Sequence, residues 1–309
     1  MDRKPLVSVI IPIYNGEKYI EETLISLYKQ TYPVLETIII DDGSTDRSVS
    51  IVEKIDDVSC RRKIVSQQNG DVSRARNEGI KNAEGELIAF LDQDDLWRPD
   101  KIERQVSRFQ KEPDIDLVFT DLVKFNDQGK SRRAKDKDRL ARSLTDQNLF
   151  AKLSQKNVLM PSAVMVKKES FIRAGWFDES FKTCGDYEMW LRMAALGMKF
   201  RYLPEPLTLY RMHEVNASRN VALMHRDRIK AIQKAFAMPG LTLDQKKWEP
   251  RALAAGYIAA AHSFFSTKQY QNFLETLAQA WTYDKKIIGL KIATRYLRSR
   301  FYVWKNTSN

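Results

Sequence analysis

Cysteine, histidine and long apolar runs are what this sequence has least of. Its 309 residues include two cysteines, Cys60 and Cys184, and three histidines. Two thiols cannot build a disulfide scaffold, and so low a count fits a reducing compartment. Even with the histidines they supply no zinc-finger spacing. Nothing approaches the roughly 18 apolar residues of a spanning helix. The run Leu6–Pro12 is too short for a signal-peptide core with a cleavage site. The expected location is cytoplasmic, either free or peripheral on the inner face of the cytoplasmic membrane. Internal repeats and low-complexity tracts are also missing.

The composition is that of a folded protein, with 43% hydrophobic and 29% charged residues, which excludes wholesale disorder. The net charge is +11. Much of the excess sits in residues 130–139, with six basic and two acidic side chains, and in residues 281–309, with seven and one. Charge alone would allow a nucleic-acid-binding module. The confinement of the basic residues to two segments, and acidic clusters elsewhere that would repel phosphate, argue against nucleic acid as the partner.

Strand and helix signals alternate through the first half. An apolar run rich in β-branched residues at Val7–Ile13, buried-strand patterns at Thr37–Ile40 and Leu87–Leu91, and a short segment at Lys63–Ser66 predict strands. Helices are predicted over 17–30, about 46–55 and 74–83. Such alternation implies βαβ units in an α/β protein, a mostly parallel sheet flanked by helices. From about residue 222 the pattern is helical, with a break at Met238-Pro239-Gly240. The expected boundary therefore divides residues 1–217 from a helical, basic extension, 218–309. Residues 130–139 are expected to form a solvated, mobile loop.

Ligands of open α/β sheets bind at the carboxyl ends of the strands, where the chemistry-bearing residues cluster. Asp92-Gln93-Asp94-Asp95 follows one strand. Three carboxylates in four residues repel one another, a cost that Mg²⁺ or Mn²⁺ would remove while sharing its oxygen ligands with phosphates. A solvated turn with a helix cap accounts for the four residues equally well. Asp41-Asp42-Gly43-Ser44 ends another strand, offering either a carboxylate acceptor for a nucleobase N–H or a capped turn. Pro12 and Tyr14 end the first strand, where the ring could stack on a base or belong to a plain Asn-Gly turn. Arg76 lies near a helix start suited to phosphate, or on a helix surface. Asp186 opens an apolar-periodic helix as a cap or a general base. His213 stands alone in Tyr210-Arg211-Met212-His213. The first strand lacks the glycine-rich phosphate loop that a sugar nucleotidyltransferase would need.

The order of these signals is more informative than any one of them. Pro-x-Tyr-Asn, Asp-Asp-Gly-Ser-x-Asp, Ala-Arg-Asn-x-Gly, Leu-Asp-x-Asp-Asp, Gly-x-Phe-Asp-Glu, Gly-Asp-x-x-x-Trp and Tyr-Arg-x-His occur in sequence. Over residues 5–217 the chain resembles glycosyltransferase family 2, whose fold is the Rossmann-like GT-A. The resemblance implies an inverting, metal-dependent, hexosyltransferase-type enzyme. It would move a sugar from a nucleotide-sugar donor, usually UDP-linked, to a glycan or lipid-linked acceptor in cell-surface polysaccharide or glycolipid synthesis. It assigns Pro12, Tyr14, Asp41, Asp42, Arg76 and Asp92 to the donor nucleotide and Asp95 to the donor sugar. Asp94 and His213 would hold Mn²⁺ or Mg²⁺, with Asp92 as a further ligand. Asp186 would be the general base, with Trp176 and Glu188 on the acceptor side. One departure is visible: Gly185 precedes Asp186 where the family often has Glu.

The last helix places Leu290, Ala293, Leu297, Phe301 and Trp304 on one face, with Lys291, Arg295, Arg298 and Lys305 beside it. A basic amphipathic helix of this kind suits an anionic membrane surface or packing on the catalytic domain.

Overall fold

The computed structural model describes residues 4–33, 35–55, 61–133, 135–213, 221–287 and 290–307. In chain order the elements are β1 (Val7–Ile13), α1 (Ile20–Tyr28), β2 (Leu35–Asp41), α2 (Ser48–Lys54), β3 (Arg61–Ser66), α3 (Asp71–Asn82), β4 (Leu87–Phe90) and β5 (Leu96–Trp97). There follow α4 (Lys101–Lys111), β6 (Leu117–Phe125), β7 (Ser131–Arg133), α5 (Lys135–Arg142), α6 (Leu149–Gln155), β8 (Val164–Lys167), α7 (Lys168–Ala174), α8 (Gly185–Ala195) and β9 (Phe200–Arg211). The chain ends in α9 (Val221–Phe236), α10 (Leu243–Lys246), α11 (Glu249–Ser266), α12 (Tyr270–Tyr283) and α13 (Leu290–Thr307).

These elements form two units. The first comprises Met1–Gln147, Val158–Lys182 and Leu196–Asn216; the second, Asn148–Asn157, Thr183–Ala195 and Ala217–Asn309. The last stretch of the second unit begins where composition changes, near residue 217. Two earlier segments, carrying α6 and α8, group with it because α8 packs on α9 and α6 on α11. A reading along the chain cannot see such returns.

The first unit is built on one sheet in the order β3-β2-β1-β4-β8-β6-β9-β5, with β7 beside β6. Strands β3, β2, β1 and β4 run parallel, as the alternation predicts. Beyond β4 the sheet is mixed: β8 is antiparallel to both β4 and β6, and β9 is parallel to β6. The β9 pattern is hidden in the sequence by Pro204 and Pro206. The strand tolerates them because its register against β6 shifts on either side of Asp121, and an irregular pairing is where a strand can hold proline. Every residue of β1 is buried. Ile11, Ile13, Ile20, Leu24, Ile102 and Val106 belong to one continuous core, each contributing about 1.5–3 kcal/mol of burial. On α3, a Cβ at Gly79 would come within 2.3 Å of the Ile10 side chain, so the helix lies directly on β1 only because that position is glycine.

The described residues of 130–139 carry a strand and a helix in place of the expected loop. Strand β7 pairs with β6 across a tight turn, and α5 follows, held by Arg142 and Asp138 one turn apart at 3.0 Å. The Arg133 guanidinium engages the buried Asp121 carboxylate. Part of the basic run is thus neutralised locally, which a count of charges does not reveal.

The second unit is helical throughout its described residues. Ala261, Phe273, Leu277 and Ile292 form a core between α11, α12 and α13. Trp281 is 51% and Leu297 69% exposed. The side chains of Leu290, Lys291, Phe301, Trp304 and Lys305, expected on the amphipathic helix, lie outside the described residues. No helix among the described residues is long and apolar enough to cross a membrane.

His225 on α9 is buried, and its Nδ1 makes no hydrogen bond among the described residues. Burial, then the Arg228 guanidinium, push its pKa down to about 4, against roughly 6.5 unfolded. Between these values the unfolded chain binds a proton that the native chain refuses, so stability falls as pH falls. Urea unfolding should show about 2 kcal/mol less stability at pH 5 than at pH 7.5 from this residue. His225→Leu should remove that increment, and an unchanged pH dependence in the variant would refute the assignment.

Candidate active site

The loops after β1, β2 and β4 meet at one end of the sheet. After β1, the chain turns through Asn15 with φ of +48°, a value Asn tolerates better than most residues. The Asn15 N–H donates to Ser44 Oγ at 3.1 Å, and Asn15 Oδ1 accepts from the Thr45 N–H at 2.8 Å. Gly16 and Glu17 donate their N–H groups to Ser48 Oγ and Asp46 Oδ2. Pro12 is buried within β1, beside Ile40 of β2, while the Tyr14 ring is 48% exposed. Asp41 and Asp42 are buried at the end of β2. Asp41 Oδ1 accepts from the Ser44 N–H at 3.0 Å, and Asp42 Oδ1 accepts from Gln67 Nε2 at 2.7 Å and the Gly70 N–H at 2.9 Å.

The acidic loop after β4 divides its carboxylates. Asp92 Oδ1 accepts from Arg76 Nη2 at 2.8 Å, and the Arg76 side chain is only 6% exposed. That guanidinium lies 5.9 Å from the Phe90 and Phe177 rings, committed to Asp92 and not held open on a helix surface. Asp94 Oδ2 lies 2.6 Å from His213 Nε2, and the His213 ring packs on Tyr19 with centroids 4.9 Å apart. Burial and then the Asp92 charge raise the Asp94 carboxyl above the usual carboxylate range, an effect His213 offsets in part. Asp95 is 1% exposed. Its Oδ1 accepts from the Arg211 N–H at 2.9 Å, and its buried Oδ2 makes no hydrogen bond among the described residues. Burial, then Asp94 and Asp92, push it well above the ordinary range.

These residues fit a divalent cation. Among the described residues no three His, Cys, Asp or Glu side chains converge on one point, so the chain offers a pair, Asp94 and His213, against a crowded, desolvated set of carboxylates. Mg²⁺-type ions are commonly bound by one or two protein ligands with substrate phosphates and waters completing the shell.

Within the second unit, α8 carries Asp186 in its first turn, half-buried. The preceding Cys184 has φ of +55°, and its half-buried thiol is raised to about 12 by burial and then the Asp186 charge. The helix start is tied down on both sides. Thr183 donates its N–H and Oγ1 to Asp227 Oδ2 at 2.9 and 3.0 Å. The Tyr187 hydroxyl meets the Leu153 and Ser154 carbonyls. Glu188, expected on the acceptor side, is buried and held by Arg192 and Lys234, each at 2.8 Å. Trp176, in the first unit, is 41% exposed.

Two residues escaped sequence reasoning. Asn77, in the Ala-Arg-Asn-x-Gly run, binds the Phe177 backbone through both ends of its amide, at 2.9 and 3.0 Å. Arg211 lay inside the Tyr-Arg-x-His run without a role. Its Nε donates to the Asp94 carbonyl at 2.9 Å and its Nη1 to Asp127 at 3.0 Å. Its Nη2 meets Glu22, and the guanidinium is sandwiched 4.7 and 4.5 Å from the Tyr19 and Phe125 rings. Motif membership was the available signal for both.

The partly parallel α/β sheet with a helical C-terminal region is the architecture of the GT-A glycosyltransferases. The chain belongs to glycosyl transferase family 2, whose family model matches residues 8–175. It is 32% identical over 288 residues to an uncharacterized glycosyltransferase of Rickettsia typhi, covering 92% of this chain and 87% of that protein. The fold is similar to that of S. aureus TarS 1–349 in complex with UDP-GlcNAc (TM-score 0.66, 20% identity, 95% of this chain and 79% of that one). It is also similar to the mannosyltransferase PcManGT of Pyrobaculum calidifontis in complex with GDP-Man and Mn²⁺ (TM-score 0.67, 20% identity, 98% and 81%).

Proposed function

We propose that this glycosyltransferase moves a sugar from a nucleoside-diphosphate donor, UDP-linked, to a hydroxyl of a glycan or lipid-linked acceptor. It does so with inversion, in the synthesis of cell-surface polysaccharide or glycolipid. The observation that carries this reading is the Asp94–His213 pair, 2.6 Å apart, on an acidic loop whose Gln93 also holds the Tyr14 backbone. Tyr14 stacks on the base, Pro12 walls the pocket, and Asp41 and Asp42 receive base N–H groups. Asp92, braced by Arg76, takes the ribose, and Asp95 shapes the loop beneath the sugar. Asp94 and His213 are the residues that would hold Mn²⁺ or Mg²⁺, whose charge offsets that developing on the departing diphosphate. Asp186 accepts the proton of the acceptor hydroxyl as its oxygen bonds to the anomeric carbon. The bond from that carbon to the diphosphate breaks in the same displacement, which inverts the configuration. The exposed aromatic and basic residues of α12 and α13 rest on an anionic membrane surface.

Calorimetric titration with UDP, GDP and CMP, with and without Mn²⁺, tests the site in wild type and Asp94→Asn. UDP should bind tightest, with Mn²⁺ strengthening it at least about tenfold (~1.4 kcal/mol), and the variant should lose that gain. Preference for GDP would overturn the base assignment but not the mechanism. Failure of every nucleotide to bind would overturn the proposal.

A further inference from the structure

Between Asp92 and Asp94 stands a side chain to which the reaction gives no role. Gln93 places its amide on the backbone of Tyr14. Its Oε1 accepts from the Tyr14 N–H at 2.8 Å, and its Nε2 donates to the Tyr14 carbonyl at 3.1 Å. One primary amide thus supplies both a donor and an acceptor to a single residue, reproducing the paired bonds of an antiparallel strand neighbour. The Gln93 backbone is itself anchored, since its carbonyl accepts from Thr23 Oγ1 of α1 at 2.8 Å. Gly16 makes room for the amide: a Cβ there would lie 2.3 Å from Oε1 and 2.6 Å from Cδ. Ser44, Thr45 and Ser48 grip the same turn from the β2 side. The Tyr14 backbone is therefore fixed while its ring stays half-exposed.

We infer that Gln93 is a positioning residue, whose amide presets the Tyr14 ring for the nucleobase by tying the Tyr14 backbone to the loop that carries Asp92 and Asp94. This inference rests on the nucleoside-diphosphate reading above. A residue whose backbone is already fixed has only its side-chain torsions left to order when a base stacks on the ring, and affinity rises accordingly. The link also joins the half of the donor site that meets the base to the half that meets the diphosphate. Gly16 takes part by leaving the amide its place.

Two probes separate the halves: the tighter-binding of UDP and GDP, and inorganic pyrophosphate, which has no base, each titrated with Mn²⁺ by calorimetry. Gln93→Ala should weaken the nucleotide about tenfold and leave pyrophosphate within about twofold of wild type. Gln93→Met, which fills the same space without the amide, should lose as much as Gln93→Ala. Gly16→Ala should mimic Gln93→Ala, and the double variant should bind no more weakly than Gln93→Ala alone, because the added Cβ acts by displacing an amide already gone. Equal losses for nucleotide and pyrophosphate would overturn the inference, since they would place the damage in the acidic loop itself. So would wild-type affinity in Gln93→Ala or Gln93→Met, or additive effects in the double variant. Should Gly16→Ala fail to fold, the two Gln93 variants still decide. A wild-type protein that binds neither nucleotide refutes the underlying reading, an outcome distinct from any loss confined to the variants.

Discussion

Asp186→Asn is expected to lower the rate of sugar transfer about 10²- to 10⁴-fold, the range that a positioned general base contributes. The acceptor hydroxyl is a weak nucleophile until its proton is removed, and an amide nitrogen of Asn cannot take that proton. The substitution preserves the shape of the side chain. The helix start should keep its geometry, because Thr183, Tyr187 and Glu188 hold it through bonds that do not involve Asp186. Donor binding should stay within about twofold, since only the transition state needs the base. Release of nucleoside diphosphate from the donor, with water as the acceptor, gives the rate before the acceptor is known. A variant as fast as wild type would remove Asp186 from the mechanism and leave the donor site untouched.

Arg211→Met should destabilise the protein by about 1–3 kcal/mol, the cost of leaving the Asp94 carbonyl without its donor, since the carboxylates it frees are half-exposed and regain water. The Arg211 side chain is 5% exposed and meets two carboxylates, those of Asp127 and Glu22. Lys18 and Arg211 together hold Asp127 down to about 2. Methionine would fill much of the volume and keep contact with the Tyr19 and Phe125 rings, but it offers no donor to the Asp94 carbonyl or to the carboxylates. The loop bearing Asp94 and Asp95 and the strand leading to His213 would then lose their shared brace. Urea denaturation should report the loss, and nucleotide titration should show weaker Mn²⁺ dependence in whatever fraction remains folded. A variant within about 0.5 kcal/mol of wild type would show that the brace is dispensable, as surface ion pairs usually are.

The parallel half of the sheet was readable because β1, β2 and β4 are buried on both faces and so carry short apolar stretches such as Val9–Ile11, Ile38–Ile40 and Leu87–Phe90. Strands β5 to β9 were not, for different reasons. β5 has two residues, and β9 carries two prolines placed where its pairing with β6 shifts register. The basic run at 130–139 looked like a solvated loop because a count of charges does not include Asp121, which is nine residues upstream and meets Arg133 only after the β6–β7 turn closes. The candidate site was legible as a set of residues, since polar clusters stand out at the ends of apolar runs. Their partners were not.

Composition and pattern by themselves determined the α/β class, the helical C-terminal stretch, and the acidic strand ends as the place for chemistry. These follow from local facts: which residues can be buried, which turn the chain, and which repel one another when crowded. Tertiary structure alone decided that Arg76 serves Asp92, that Asp94 faces His213 across 119 positions, and that α6 and α8 pack with the C-terminal helices. Each of those pairings depends on closing long stretches of chain, so its energy appears only once the sheet has brought distant segments within hydrogen-bond reach.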